Sequence, residues 1–166
     1  MRLASIVLLS ILCTAPAAVA ADVEANKQLY RNCIEELINR RHVEAADKCF
    51  TVDFIEHNPN LVSGLAGRKQ FLAAIHAGFS DYHAEIDQMV AEGDRLAVRI
   101  VWTGTQDGPF LGRPATGNKL RFATADFFRI QDGKLAEHWD VVDSLPRAIA
   151  LGLVQPPAGS TKITPK

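Results

Sequence analysis

The stretch that decides the fold is LRFATADFFRIQDGKLAEHWDVVD, residues 120–143. Two runs in which apolar and polar side chains alternate flank the turn-forming triplet 131–133. This pattern is typical of a β-hairpin. We expect a three-residue loop that pairs Ile130 with Lys134, because Gly133 readily adopts the left-handed conformation that such a loop needs. A two-residue loop is the alternative, and it would shift the register by one residue.

The three-residue loop predicts a polar cluster on one face of the hairpin. In that register Asp126 lies opposite His138, and Thr124 lies opposite Asp140. Side-chain alternation then divides the hairpin into one face with Thr124, Asp126, Phe128, His138 and Asp140, and another with Phe127, Arg129, Leu135, Trp139 and Val141. Two carboxylates beside an imidazole in a partly dry cavity are suited to general acid–base catalysis. The alternative is a solvated face with an ordinary Asp126–His138 pair.

A second polar group, Glu56-His57-Asn58-Pro59, follows a short strand-like run. Two interpretations stay open for it. Either His57 or Asn58 reaches a cavity, where Asn58 would donate to a substrate oxygen, or Asn58 caps the turn and His57 is on the surface. His138 and Asp140 with a distant His57 could also suggest metal ligands. The spacing is not specific for a metal, so no metal site is predicted.

The order of the remaining patterns predicts the fold class. Apolar residues recur at helical spacing over 23–38, 43–50 and 67–79, whereas strand patterns dominate from residue 82 onward. Helices followed by antiparallel strands are typical of an α+β fold. Cys33 and Cys49 flank a charged break and would meet if the chain reverses near residue 41, so we expect a disulfide between them. Two buried free thiols are the alternative.

The first residues of the sequence predict where the protein is located, and its net charge indicates which partners it can bind. Arg2, the apolar run over 3–12 and the Ala18-Val19-Ala20 motif predict a secretory signal peptide at 1–20. The product would be exported, periplasmic or secreted, with no membrane anchor after cleavage. A formal net charge of −1 gives no basic excess for nucleic acid. We expect a single domain over 21–154 and a flexible tail over 155–166.

Three motifs in series carry a family resemblance: FIEHNP at 54–59, GRPATG at 112–117 and FRIQDGKLAEHWD at 128–140. Together they resemble the SnoaL-like polyketide cyclases, also described as predicted ester cyclases. The resemblance implies a nuclear transport factor 2-like cone, with N-terminal helices on a curved antiparallel sheet around a central pocket. It also implies that Asp140 is the acid/base of an aldol-type closure without metal or cofactor, with His138, Asp126 and Asn58 in the pocket.

The resulting prediction is an exported enzyme, a cyclase or isomerase acting on a small hydrophobic carbonyl compound. A non-catalytic periplasmic module that binds a small ligand is one alternative, and an epoxide or lactone hydrolase is another. The sequence leaves the oligomeric state open, and the apolar outer face around Trp139 and Phe127 is compatible with a homodimer.

Overall fold

The computed structural model describes residues 17–155, so the predicted signal peptide up to residue 16 and the tail from 156 lie outside the described residues. The helices are α1 (Ala17–Ile34), α2 (Ala46–Cys49), α3 (Gly64–Gly78) and α4 (Ser144–Ala150), and the strands are β1 (Phe50–Glu56), β2 (His83–Glu92), β3 (Arg95–Thr105), β4 (Lys119–Gln131) and β5 (Lys134–Val142). No helix within 17–155 is long and apolar enough to span a membrane.

The five strands form one sheet in the order β1-β5-β4-β3-β2. Neighbouring strands are antiparallel except β1 and β5, which run parallel. On the inner face of the sheet, β1 packs against α3 and β2 packs against α1. The predicted α+β class is confirmed, and β2 to β5 lie in the part of the chain from residue 82 onward where strand patterns are predicted to dominate.

The hairpin between β4 and β5 has a different loop from the one predicted. Gln131 pairs with Lys134, so the loop contains only Asp132 and Gly133. Both loop residues have positive φ, 51° and 69°, which is the type I′ geometry that matches the twist of antiparallel strands. The predicted three-residue loop is therefore wrong.

A β-bulge nevertheless preserves the predicted polar face. Ile130 pairs with Leu135 but Arg129 pairs with Glu137, which leaves Ala136 as an extra residue in β5. The two-residue loop shifts the register by one residue, and the bulge shifts it by one more. Because side chains alternate with a period of two, the residues beyond the bulge keep their predicted faces. Asp126 consequently lies opposite Asp140, two positions from the predicted partner His138.

Leu135 is the one residue of the hairpin whose predicted face is wrong. It precedes the bulge, so its side chain points inward and is only 1% exposed. Phe127 and Val141 are exposed on the outer face, as the alternation predicts. A homodimer through this outer face stays a prediction.

The chain reverses direction between α1 and α2, close to the expected position. Helix α1 continues through a π-helical turn at Glu35–Asn39, and Arg41 then adopts a positive φ of 64°. Cys33 and Cys49 form a disulfide, with Cα atoms 5.7 Å apart. A covalent link across 16 residues contributes about 3 kcal/mol to stability in the chain-entropy model. It fastens α1 to the last residue of α2, directly before β1.

Helix α4 was not predicted from the sequence pattern. It spans only seven residues, and Pro146 stands at its third position, where the missing N–H removes no helical hydrogen bond. Asn118 Nδ2 donates to the carbonyl oxygen of Ala150 at 2.9 Å. This contact joins α4 to the loop that precedes β4, and both border the cavity described next.

Candidate active site

A cavity of about 520 Å³ lies between the inner face of the sheet and the helices. Its walls are largely aromatic and aliphatic, and Tyr82, Trp102 and Phe122 stack along one side with centroids 5.5 and 6.4 Å apart. Burial raises the pKa of Tyr30 and of Tyr82, both in the wall, so that both phenols are neutral hydrogen-bonding groups. Such a cavity suits a planar hydrophobic molecule.

The polar part of the cavity is centred on His138. Its ring is buried and makes contacts through both nitrogens: Nδ1 lies 2.9 Å from each carboxylate oxygen of Glu56, and Nε2 lies 3.6 Å from Asp126 Oδ1. Glu56 and His138 are register partners on the parallel strands β1 and β5, which is why the two side chains share a face. Phe128 stacks on the imidazole with centroids 4.6 Å apart.

The two carboxylates govern the charge of this imidazole. Burial disfavours the imidazolium, but the nearby carboxylates of Asp126 and Glu56 outweigh this effect, so the pKa of His138 is raised above its ordinary value. Burial likewise acts to raise the pKa of Glu56, but the His138 contacts dominate and the net shift is downward. Both shifts favour the charged forms of the pair, an imidazolium at His138 and a carboxylate at Glu56.

Asp140 lies next to this pair and is oriented by Asn58. Asn58 Nδ2 donates to both oxygens of Asp140, at 3.0 and 2.9 Å. The direction of the amide is set by its other end, because Asn58 Oδ1 accepts from the backbone N–H of Asn60 at 3.0 Å. The carboxylate is held in one orientation at the cavity wall, yet it stays partly exposed.

A chain of hydrogen bonds fixes the position of Asp126. Trp102 Nε1 donates to Thr124 Oγ1 at 2.8 Å, and the Thr124 hydroxyl donates to Asp126 Oδ2 at 2.9 Å. The other oxygen of Asp126 faces His138. Trp102 thus belongs to the polar network as well as to the aromatic wall.

The raised pKa of His138 predicts a dependence of stability on pH. Its contacts stabilise the fold fully below the unfolded value of 6.5, and this contribution is lost as pH rises through the folded pKa. Urea denaturation from about pH 6 to about pH 9 is expected to show a falling free energy of unfolding. The slope should be much smaller in His138→Gln and unchanged in His83→Gln, which alters an exposed histidine of β2. An equal slope in His138→Gln would contradict the assignment.

His57 does not line the cavity, contrary to the interpretation that placed it there. Its ring stacks on Trp139 on the outer face, with centroids 4.4 Å apart, and its Nε2 lies 3.0 Å from Glu137 Oε2. Strand alternation explains this, because Phe54 and Glu56 face inward and the residue after Glu56 faces out. Asn58 reaches the cavity because the chain leaves the strand there. The other predicted pocket residues, Thr124, Asp126, Phe128, His138 and Asp140, all line the cavity.

Sequence reasoning missed the charged residues Glu56 and Arg68, which lie beside the polar part of the cavity. The inward facing of Glu56 could have been found by counting from Phe54 in steps of two. Arg68 lies in the first turns of α3, and nothing in the local pattern separates it from a surface arginine. Its Nη1 lies 3.8 Å from Glu56 Oε2.

Within residues 17–155, one group offers atoms close enough to contact a single metal ion. Asp126, His138 and Asp140 each offer one atom, and these atoms lie within 4.8 Å of one another. A histidine binds metal only through a deprotonated nitrogen. The contacts of His138 favour the protonated form instead, so the arrangement is better suited to proton transfer than to metal binding.

Comparison with known proteins establishes the family of this chain. Residues 27–150 match the family described as SnoaL-like polyketide cyclase. The chain belongs to this family. This SnoaL-like protein is 30% identical over 102 residues to the aklanonic acid methyl ester cyclase DnrD of Streptomyces peucetius, a match that covers 59% of this chain and 68% of the relative.

Solved structures agree with this SnoaL-like assignment. TsrD from Streptomyces laurentii is 29% identical with a TM-score of 0.72, and the match covers 79% of this chain and 97% of TsrD. AclR from Streptomyces galilaeus gives 29% identity and a TM-score of 0.72, over 81% of this chain and 85% of AclR. The predicted nuclear transport factor 2-like fold is confirmed. Family membership supports a cyclase- or isomerase-type enzyme acting on a small hydrophobic molecule.

Proposed function

We propose that this protein is an exported cyclase or isomerase that acts on a hydrophobic carbonyl compound, with Asp140 as the acid/base. One observation carries the proposal: the Asp140 carboxylate is held by Asn58 at the wall of an apolar cavity, next to the buried His138 and Asp126. A fixed carboxylate beside an imidazolium provides a base and a stabilising cation at the same place.

The proposed reaction uses this pair in two steps. Asp140 removes a proton from the carbon next to a carbonyl group, and the electron pair of the broken C–H bond forms an enolate. His138 Nε2 lies 3.6 Å from Asp126 Oδ1, which is too long for a full hydrogen bond, so its N–H is available to another acceptor. This N–H stabilises the enolate oxygen. The enolate carbon then attacks a second carbonyl of the same molecule, and the alkoxide takes the proton back from Asp140.

Product mass tests this proposal. The purified protein is incubated with aromatic compounds that carry two carbonyl groups, in water enriched in oxygen-18, and the products are analysed by mass spectrometry. Ring closure or isomerisation gives a product of unchanged mass that contains no label beyond carbonyl exchange in the enzyme-free control. A labelled product heavier by one water would support a hydrolase instead, and binding without conversion would support a ligand-binding module.

Export is supported by the disulfide and by the pattern of the first residues. A disulfide persists in an oxidising compartment, and Cys33 and Cys49 are bonded. We expect the protein recovered from its native cell to begin at Ala21 and to carry no free thiol. Intact mass after thiol alkylation measures both. A chain that retains residues 1–20, or takes up alkyl groups at Cys33 and Cys49, would contradict export.

A further inference from the structure

The Arg68 side chain places a positive charge at the cavity wall, where no hydrogen bond to a described residue satisfies it. Arg68 extends from α3 to the cavity wall with its side chain only 15% exposed. Its Nε is buried and donates to no atom of the described residues. The Cζ atom lies 5.2 Å from the ring centroid of Phe50 and 5.7 Å from that of Phe71. The two rings favour a cation electrostatically and also remove it from water.

The nearest carboxylate, Glu56, does not satisfy this guanidinium. Its Oε2 lies 3.8 Å from Arg68 Nη1, which is beyond hydrogen-bond distance. Both oxygens of Glu56 already contact His138 Nδ1 at 2.9 Å, and Oε1 also accepts from the backbone N–H of Asn58 at 3.0 Å. The charge of Glu56 is therefore matched by His138, and Arg68 keeps N–H donors for another acceptor.

We propose that Arg68 binds a carboxylate of the substrate, so that the protein selects planar hydrophobic acids over their neutral esters. The inference rests on the proposed function, whose substrate class it narrows. A guanidinium presents a planar set of donors that matches the two oxygens of a carboxylate, whereas an ester offers one weaker carbonyl acceptor. The stacked aromatic wall of Tyr82, Trp102 and Phe122 would hold the planar part.

The position of Arg68 also links this binding to the reaction site. Glu56 Oε2 is 3.8 Å from the Arg68 guanidinium and 2.9 Å from His138. Arg68 and His138 thus approach the same carboxylate, and both line the cavity. The acid group would be held at that end of the cavity, with the adjoining carbonyl carbons next to His138 and Asp140.

The test compares anthracene-9-carboxylic acid with its methyl ester, two fluorescent probes that differ at a single group. Binding to the mature protein is measured by fluorescence anisotropy near neutral pH. We expect the acid to bind about tenfold more tightly than the ester, the size of effect given by a charge-assisted hydrogen bond. Arg68→Met is expected to abolish this preference while leaving the affinity for the ester within about twofold.

Arg147→Met is the matched control, because Arg147 is also a cavity arginine but lies over Phe122. It should retain the preference for the acid. Arg68→Lys keeps the charge without the planar fork, and it should give a smaller preference. Equal binding of acid and ester by the wild type, or an undiminished preference in both Arg68 variants, would overturn the proposal. Thermal unfolding establishes that each variant is folded, and Arg68→Lys supplies the comparison if Arg68→Met is not.

The outcomes also separate this inference from the proposed function. Binding of the probes does not require turnover, so Asp140→Asn should keep the preference for the acid. If the protein binds the acid more tightly but converts no carbonyl compound, the proposed reaction is refuted and the role of Arg68 is supported. A protein that turns over neutral esters as well as the acids would refute the role of Arg68 alone.

Discussion

Asp140→Asn is expected to lower kcat by about 10²–10⁴-fold, the range that a positioned general acid/base contributes. Asparagine has nearly the same shape as aspartate and can still contact Asn58, so the fold and the cavity should be retained. Steady-state kinetics on the compound identified by product mass gives kcat and KM. The free energy of unfolding should change by less than about 1 kcal/mol, because one partly exposed hydrogen-bonded group is altered.

Asp53→Asn provides the matched control for this substitution. Asp53 is exposed on β1, so the same chemical change is made on a strand of the same sheet but away from the cavity. Its kcat should equal that of the wild type. If Asp140→Asn keeps its kcat within about threefold, the carboxylate cannot be the acid/base, since general acid–base catalysis contributes at least about 10².

Glu56→Gln is expected to destabilise the protein by about 3 kcal/mol, because it removes one charge of a buried ion pair and leaves the His138 imidazolium less compensated. Glu56 is a positioning residue in the proposed reaction, since it contacts His138 and not the substrate. Losing its charge lowers the pKa of His138. The basic limb of the pH–rate profile should therefore move to lower pH, and kcat at neutral pH should fall by about tenfold.

Urea denaturation and the pH–rate profile measure these two effects independently. Glu85→Gln on β2 is the control, because Glu85 is exposed and its substitution should cost less than about 0.5 kcal/mol. A destabilised Glu56→Gln variant with an unshifted pH–rate profile would show that Glu56 has only a structural role. A variant as stable as the wild type would contradict the buried ion pair itself.

The polar face of the hairpin was predictable, although its register was not. Whether a side chain of β4 and one of β5 lie on the same face depends only on whether the register that pairs the two strands is shifted by an odd or an even number of residues. The two-residue loop and the bulge at Ala136 each shift that count by one, so Asp126, His138 and Asp140 stay together. The bulge has no local signature in the residues around Ala136. Leu135 lies between the loop and the bulge, and it is the one position where the prediction of facing failed.

The partners of the site residues were harder to predict than the residues themselves. Asp140 and His138 stand in a recognisable motif, but Glu56 and Asn58 lie more than 80 residues earlier in the chain. Their contacts depend on β1 pairing in parallel beside β5. Nothing in the pattern of β1 itself specifies that neighbour. Parallel pairing of strands so distant in sequence depends on the path of the intervening chain, which here comprises α3 and the strands β2, β3 and β4.

By itself, the sequence determined the fold class, the family and the face on which the acid–base residues lie. These follow from periodicity and from motifs, and both are properties of residues near one another in the chain. Only the tertiary structure decided that His57 faces out, that Glu56 pairs with His138 and that Arg68 reaches the cavity without a full partner. Each of these depends on which strand or helix lies alongside, and on how burial changes the energy of a charge once water is removed.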